Sequence, residues 1–98
     1  MVFVIDNLKY NTDKMELISE KCEYTYTWTF VLTDTQMSGM AHNVKIWRSK
    51  KGNWLVTYTK QGYSNNFANT LTEIEVKSLL LRYDLSKYEE LFGELEEA

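Results

Sequence analysis

The sequence predicts a small α+β domain, in which an antiparallel sheet of three or four strands is covered on one face by two or three helices, in the order β-α-βββ-αα. Three observations predict this class. Residues 22–33 alternate between aromatic or aliphatic and polar side chains, as a strand does. A hairpin pattern follows at 43–60, and two capping-box motifs precede apolar runs near the end of the chain. Because 98 residues suffice for one modest core, residues 1–98 are predicted to form a single domain.

The first elements are predicted to be a short strand and a helix. Residues 2–5, "VFVI", are apolar and typical of a strand. Residues 12–21, "TDKMELISEK", predict a short helix, because Thr12 or Asp13 can serve as its N-cap. Its apolar side would consist of Met15, Leu17 and Ile18.

The strand predicted at 22–33 carries a row of large side chains on one face and mostly threonines on the other. This row is either part of the core or an exposed platform on which bases or a partner stack. A small domain gains about 1.5–3 kcal/mol for each such side chain that it buries, so we expect the row to lie under the helices. The row consists of Tyr24, Tyr26, Trp28, Phe30 and Leu32.

Two more strands are predicted after a break. The stretch 33–40, "TDTQMSGM", is expected to interrupt the sheet because it is rich in small and polar residues. Strands at 43–49 and 54–60 then form a hairpin, joined by a turn in which Gly52 and Asn53 can adopt positive φ.

The remaining chain is predicted to be a loop followed by two helices. Residues 61–70, "QGYSNNFANT", have the composition of a loop. A T-x-x-E capping box at Thr72 begins the first helix, and a second box at Ser86 begins a final helix that breaks at Gly93.

No residue pattern indicates catalysis. The single histidine, His42, has no serine or cysteine pattern beside it, and no glycine-rich phosphate loop exists. The single cysteine, Cys22, is expected to be a buried, inert thiol. We therefore predict a protein that is not an enzyme and that holds no metal and no cofactor. The cysteine usage, the lack of a signal-peptide pattern and the lack of an apolar stretch of about 20 residues predict a cytoplasmic location away from membranes.

Charge divides the chain into a basic middle and an acidic end, which supply two candidate binding sites. The basic site lies in the 43–60 hairpin and would bind a partner or nucleic acid, unless its lysines only protect a sheet edge. The acidic site would contact a basic groove of a protein partner, unless it is an ordinary solvated helix face. The basic residues are Lys45, Arg48, Lys50 and Lys51, and the acidic residues are Glu89, Glu90, Glu94, Glu96 and Glu97.

Three stretches carry a resemblance to a known group: "KYNTDKMELISE", "WRSKKGNWLVTY" and "KYEELFGELEEA". They resemble small proteins carried by mobile elements of Gram-positive bacteria, which show a K/R-Y-x-T-x-x-A/M helix start, an aromatic–Arg–Thr–Lys–Lys–Gly hairpin and a Y-E-E-x-F-G-E-x-E-E-A ending. The chain departs from that pattern at Thr59–Gly62, where a glycine-rich stretch is usual, and in its long "YTYTWTFVL" strand. Among such proteins it is most similar to an anti-CRISPR protein that acts on a type II effector nuclease.

The resemblance implies a non-enzymatic inhibitor that binds a protein partner. In the cytoplasm of a bacterial host it would bind the nuclease or its guide-RNA complex and block guide-RNA loading or DNA access. The alternative function is that of a small nucleic-acid-binding accessory protein of a mobile element that uses the 43–60 hairpin. A third function, as a structural or toxin–antitoxin-like partner protein, and a homodimer formed through an exposed hairpin edge also stay open.

Overall fold

A computed structural model describes residues 1–98, which form eight strands, one 3₁₀ turn and two helices. The elements, in chain order, are β1 (Val2–Ile5), β2 (Leu8–Asn11), the 3₁₀ turn (Thr12–Lys14), β3 (Glu16–Ser19), β4 (Thr25–Phe30), β5 (Thr35–Met40), β6 (His42–Arg48), β7 (Trp54–Thr59), β8 (Phe67–Leu71), α1 (Glu73–Tyr83) and α2 (Leu85–Phe92). The strands pair into three antiparallel sheets: β1–β2, β3–β6–β7–β8 and β4–β5.

This arrangement shows that the predicted fold class is wrong. The prediction was one sheet of three or four strands under helical cover, in the order β-α-βββ-αα. The structure is mostly strand, its strands form three separate sheets, and both helices come at the end of the chain. Two segments that were predicted to be irregular, 33–40 and 61–70, contain the strands β5 and β8.

The predicted helix at 12–21 is also replaced by other structure. The Asn11 side chain accepts a hydrogen bond from the Asp13 amide (3.1 Å) and so caps a single 3₁₀ turn. The backbone becomes extended at Met15 (φ −105°, ψ 157°), and β3 then pairs with β6. A short helix is marginal in water without packing, whereas strand pairing places Ile18 and Ser19 in the interior.

The central sheet is built around β7, whose first five residues, 54–58, are all buried. Its alternate side chains face opposite sides of the sheet, and Trp54, Val56 and Tyr58 join the main core. On the other side, the Trp47 indole Nε1 donates to Thr57 Oγ1 at 2.8 Å. The predicted 43–60 hairpin is confirmed by the antiparallel pairing of β6 with β7.

The two helices pack their apolar side chains against this core. Val76 and Leu80 of α1 are fully buried within it. The predicted capping box at Thr72 is confirmed: its Oγ1 accepts from the Glu75 amide (3.2 Å), and the Glu75 carboxylate accepts from the Thr72 amide (3.0 Å). The box predicted at Ser86 is wrong, because the N-cap of α2 is Asp84, two residues earlier, and Asp84 makes no side-chain capping hydrogen bond. No helix in the structure has the length and apolarity that crossing a bilayer requires.

The end of α2 and the junction between the helices are fixed by specific residues. Gly93, at φ 101°, ends α2 as predicted. Asp84 lies at the junction, is buried, and accepts a hydrogen bond from the Ser19 hydroxyl of β3 at 2.7 Å. This bond ties the two helices to the edge strand of the central sheet.

The strands β4 and β5 form a hairpin that pairs with no other strand. The molecule measures 49 × 33 × 22 Å, and its radius of gyration is 14.8 Å, whereas a compact chain of this length has about 13 Å. Each strand of the hairpin has six residues and therefore spans roughly 20 Å. The hairpin is therefore long enough to account for the elongated shape of the molecule.

Candidate functional site

We call residues 25–40, the β4–β5 hairpin and its tip, the arm. Residues directly opposite each other in an antiparallel pair share a face. The register places Trp28 opposite Met37 and Tyr26 opposite Gly39, so these side chains lie on one aromatic face of the arm. The other face is largely hydroxylic and consists of Thr25, Thr27, Thr29, Gln36, Ser38 and Met40.

The base of the aromatic face is anchored on the core by a continuous stack of rings. The Tyr26 ring lies 5.8 Å from that of Tyr58, at an angle of 11°, and 5.7 Å from that of Trp28, at 28°. The ammonium group of Lys60 lies 4.4 Å from the Tyr26 ring centroid and 4.3 Å from that of Phe67. These contacts fix the direction in which the arm leaves the domain.

Gly39 is required for this anchoring, because the Tyr26 ring lies directly over it. A Cβ atom at position 39 would come within 2.6 Å of the Tyr26 hydroxyl oxygen and 2.7 Å of its Cζ. These distances are shorter than any normal contact, so a larger residue at position 39 would displace the ring.

Beyond Tyr26 the arm is exposed to solvent. Trp28 and Phe30 are 43% and 47% exposed, and Val31 and Leu32, at the tip, are 90% and 87% exposed. The prediction that the row from Tyr24 to Leu32 belongs to the core is therefore wrong for its second half. The alternation identified the strand correctly, but no helix lies over the end of it.

The arm is also unusual for its lack of charge. No lysine or arginine occurs between Lys21 and Lys45, and the arm itself carries a single charged residue, Asp34. Exposed strand edges are normally protected by lysine, proline or a bulge. The arm's two edges have no lysine or proline, and its register is regular from Thr25 to Phe30. Its surface is thus apolar or hydroxylic and presents free backbone groups.

The predicted basic site is divided by the structure. Lys45 lies 3.8 Å from Glu20, and Arg48 lies 2.9 Å from Glu16, so both have carboxylate partners on or beside β3. Lys50 and Lys51 occupy the β6–β7 turn and have no carboxylate within 4 Å. The four residues therefore do not form one basic surface.

The predicted acidic site lies partly on α2 and partly beyond it. Glu89 accepts a hydrogen bond from the Leu95 amide (3.1 Å), and Glu90 pairs with Lys87 (3.0 Å). The remaining three, Glu94, Glu96 and Glu97, are exposed and follow the helix. The five carboxylates therefore do not share one helix face, although three of them remain free for a partner.

Few side chains in the interior have reactive chemistry. Burial raises the pKa of the Cys22 thiol, which lies 3.8 Å from the Ser19 hydroxyl oxygen. Burial alone would also raise the pKa of Asp84, but the hydrogen bond from the Ser19 hydroxyl, the nearby Lys87 backbone amide, the charge of Lys21 and the hydrogen bond from the Ser86 hydroxyl outweigh it and lower that pKa. No group of three His, Cys, Asp or Glu side chains is placed to hold a metal ion.

Sequence reasoning missed the arm because it assigned the aromatic row to the core. One signal could have found it: the large apolar residues from Phe30 to Met40 are interrupted by Thr, Ser, Gly and Gln and accompanied by no cation. Such a segment supplies too few apolar side chains on one face to build a sheet core by itself.

The candidate site therefore consists of an anchored base, from Tyr26 to Gly39, and an exposed, almost uncharged end, from Trp28 to Met37. Comparison with protein-family models, with curated proteins and with solved structures finds no match to this chain.

Proposed function

We propose that this protein is a non-enzymatic inhibitor that binds a protein partner through its arm. The observation that carries the proposal is the exposed, almost uncharged aromatic and aliphatic surface from Trp28 to Met37. Three stretches resemble small mobile-element proteins of Gram-positive bacteria, among which the chain is most similar to an anti-CRISPR protein, and this resemblance makes a type II effector nuclease in the bacterial cytoplasm the partner to test. Binding would be stoichiometric and would block guide-RNA loading or DNA access.

The chemistry of the arm favours a protein over nucleic acid as its ligand. Proteins that bind single strands combine stacking rings with cations that follow the phosphates on the same surface. The arm has aromatic rings but no lysine or arginine. The ammonium group of Lys60 contacts the Tyr26 ring of the arm, but it is already held between Tyr26 and Phe67. A protein groove that accepts aromatic side chains and pairs with a free strand edge does not require cations on the arm.

The exposed surface reaches the lower end of the range for a specific interface. Five large apolar residues of the aromatic face and the tip are exposed, and their exposed fractions correspond to about 600 Å² of accessible surface, at roughly 200 Å² for a fully exposed large side chain. Specific protein interfaces bury about 600–1,000 Å² on each partner. The five residues are Trp28, Phe30, Val31, Leu32 and Met37.

The carboxylates after α2 would assist such a complex. A nuclease channel that holds guide RNA or DNA is lined with cations, and a series of exposed carboxylates can neutralise them and speed association. Glu94, Glu96 and Glu97 are exposed and have no cationic partner within 4 Å.

The proposal is tested by DNA cleavage with a purified type II effector, with the protein added before and after the guide RNA. We expect the wild-type protein to inhibit, and Trp28→Ala with Phe30→Ala to weaken partner binding at least 30-fold, which is the effect of losing one interface hot spot of about 2 kcal/mol. Ile74→Ala is the matched control, because Ile74 is an equally apolar, 80% exposed residue outside the arm.

Three results would contradict the proposal. Failure to inhibit several effectors at molar excess would remove the nuclease as the partner. Full inhibition by the Trp28→Ala, Phe30→Ala variant would remove the arm as the contact. A wild-type dimer that this variant converts to a monomer in sedimentation experiments would show that a second copy of the chain occupies the arm.

A further inference from the structure

A cavity of about 370 Å³ lies between the β1–β2 hairpin, the 3₁₀ turn and the β6–β7 turn. Its volume is at the lower end of the range for small-molecule sites, about 300–1,000 Å³. The cavity and the arm lie at opposite ends of the β6–β7 strand pair, roughly 20 Å apart, because the arm leads into β6 at His42 and the turn follows β6 at Arg48. The cavity is therefore a separate site from the arm and is independent of the function proposed for the arm.

Four lysines from three separate segments line this cavity, and no carboxylate does. None of the four ammonium groups lies within 4 Å of an acidic group. The ion pairs of the molecule instead involve Lys45, Arg48, Lys87 and the N-terminal amine. The four are Lys9 of β2, Lys14 of the 3₁₀ turn, and Lys50 and Lys51 of the β6–β7 turn.

The acidic residues of the adjoining cavities have other partners or lie outside this lining. Asp13 and Glu16 line an adjoining cavity together with Lys14 and Lys50, but Asp13 lies 3.4 Å from the N-terminal amine, and Glu16 pairs with Arg48 at 2.9 Å. Asp6, in the β1–β2 turn, lines a neighbouring cavity. Four lysines that line one cavity without a paired carboxylate repel one another, so the cavity favours a ligand with several negative charges.

The turn that carries two of the lysines is held by its own hydrogen bonds. The Ser49 amide donates to the Asn53 carbonyl oxygen (2.8 Å), the Gly52 amide donates to the Ser49 carbonyl oxygen (2.9 Å), and the Asn53 amide donates to Ser49 Oγ (3.0 Å). Gly52, at φ 87°, makes this tight reversal possible. Lys50 and Lys51 therefore extend from a fixed loop at the edge of the cavity.

The remaining lining can bind oxygen atoms of a ligand. Ser49 and Tyr10 have hydroxyl groups and Asn53 has an amide, each of which can donate a hydrogen bond to a phosphate oxygen. Lysine ammonium groups bind phosphates as mobile point charges, without the fixed geometry that arginine imposes. We propose that this cavity binds a ligand with two or more phosphate groups, either a free polyphosphate or the phosphodiester backbone of a nucleic acid.

Two probes distinguish these sources: inorganic tripolyphosphate, followed by calorimetry, and a fluorescent 12-nucleotide uridine RNA, followed by anisotropy at 50 and 200 mM salt. Four phosphate contacts on a single strand give a salt slope of about −2.8, which makes RNA binding about 50-fold weaker at the higher salt. Removing two lysines halves this slope, so RNA binding becomes only about 7-fold weaker between 50 and 200 mM salt.

The test compares two double variants, K9Q/K14Q and K50Q/K51Q, with a control, K77Q/K87Q, which removes the same charge from two lysines of the helices, outside the cavity. We expect each cavity variant to bind at least tenfold more weakly to whichever probe the wild type binds. The affinity of the control variant should stay within twofold of that of the wild type. Tripolyphosphate binding assigns the site to free polyphosphates, and binding of RNA alone assigns it to phosphodiesters. If neither probe binds at 50 mM salt, if either cavity variant binds like the wild type, or if the control is affected as strongly, the proposal is overturned.

Discussion

Two leucines, Leu32 and Leu80, allow a direct test of the claim that the arm is exposed. Leu32 is 87% exposed at the tip of the arm, and Leu80 is fully buried in α1. The same change, leucine to alanine, should therefore have very different effects. Leu80→Ala removes three buried carbon atoms and leaves a cavity, which costs about 2–5 kcal/mol, whereas Leu32→Ala should change the free energy of unfolding by less than about 0.5 kcal/mol.

The assay is equilibrium urea unfolding at 25 °C, followed by far-ultraviolet circular dichroism. A domain of 98 residues has a total stability of roughly 5–15 kcal/mol, so Leu80→Ala should lower the urea midpoint strongly and Leu32→Ala should leave it in place. If Leu32→Ala cost more than about 1 kcal/mol with an unchanged slope, Leu32 would be packed, as the sequence-based prediction required. A midpoint that is independent of protein concentration excludes self-association as the cause.

Two further changes test the base of the arm and the helix junction. Gly39→Ala places a Cβ atom 2.6 Å from the Tyr26 hydroxyl oxygen, so we expect a displaced ring and a loss of about 1–3 kcal/mol of stability; an unchanged near-ultraviolet circular dichroism spectrum and urea midpoint would contradict this contact. The pKa of Asp84 is lowered in the folded state, so its ionisation contributes stability that is present above its unfolded pKa of about 3.9 and is lost as the pH falls through the folded value. Asp84→Asn should therefore destabilise the protein near pH 7 and flatten the dependence of stability on pH below about pH 4, and an unaltered acid-unfolding curve would refute the role of the Ser19–Asp84 hydrogen bond.

The elements that could be predicted are those whose signals are local. The capping box at Thr72 is satisfied within four residues, and the turn at Gly52 closes a hairpin between adjacent strands. Gly93 ends α2 because its own backbone adopts positive φ. Each of these features depends on residues that are neighbours in the sequence.

The elements that were mispredicted depend on distant pairing. Residues 16–19 form an edge strand because β6, about 30 residues later, offers a place to pair and bury Ile18. The strand β8 has the composition of a loop, yet all five of its residues pair with the buried part of β7, from Trp54 to Tyr58. Asn69 of β8 also donates to the hydroxyl groups of Tyr24 and Tyr58. No local pattern reveals these partners.

The candidate sites show the same difference between features set by neighbouring residues and features set by distant pairing. Lys50 and Lys51 were predicted as binding residues from the turn that they share, but Lys9 and Lys14 join them only through chain reversals elsewhere. One reversal is the β1–β2 turn, where Asp6 and Asn7 adopt φ of 52° and 63°. The arm escaped prediction for a different reason: alternation identifies a strand but does not show whether anything covers its face.

The unprotected edges of the arm have a practical consequence for work with the isolated protein. An exposed strand pair whose edges carry no lysine or proline can pair with strands of other chains, including other copies of the same protein. Solubility during overproduction should therefore be limited by these edges rather than by the stability of the domain. Co-expression with the natural binding partner, or a lysine introduced on the hydroxylic side at Thr27, would raise the yield of monodisperse material.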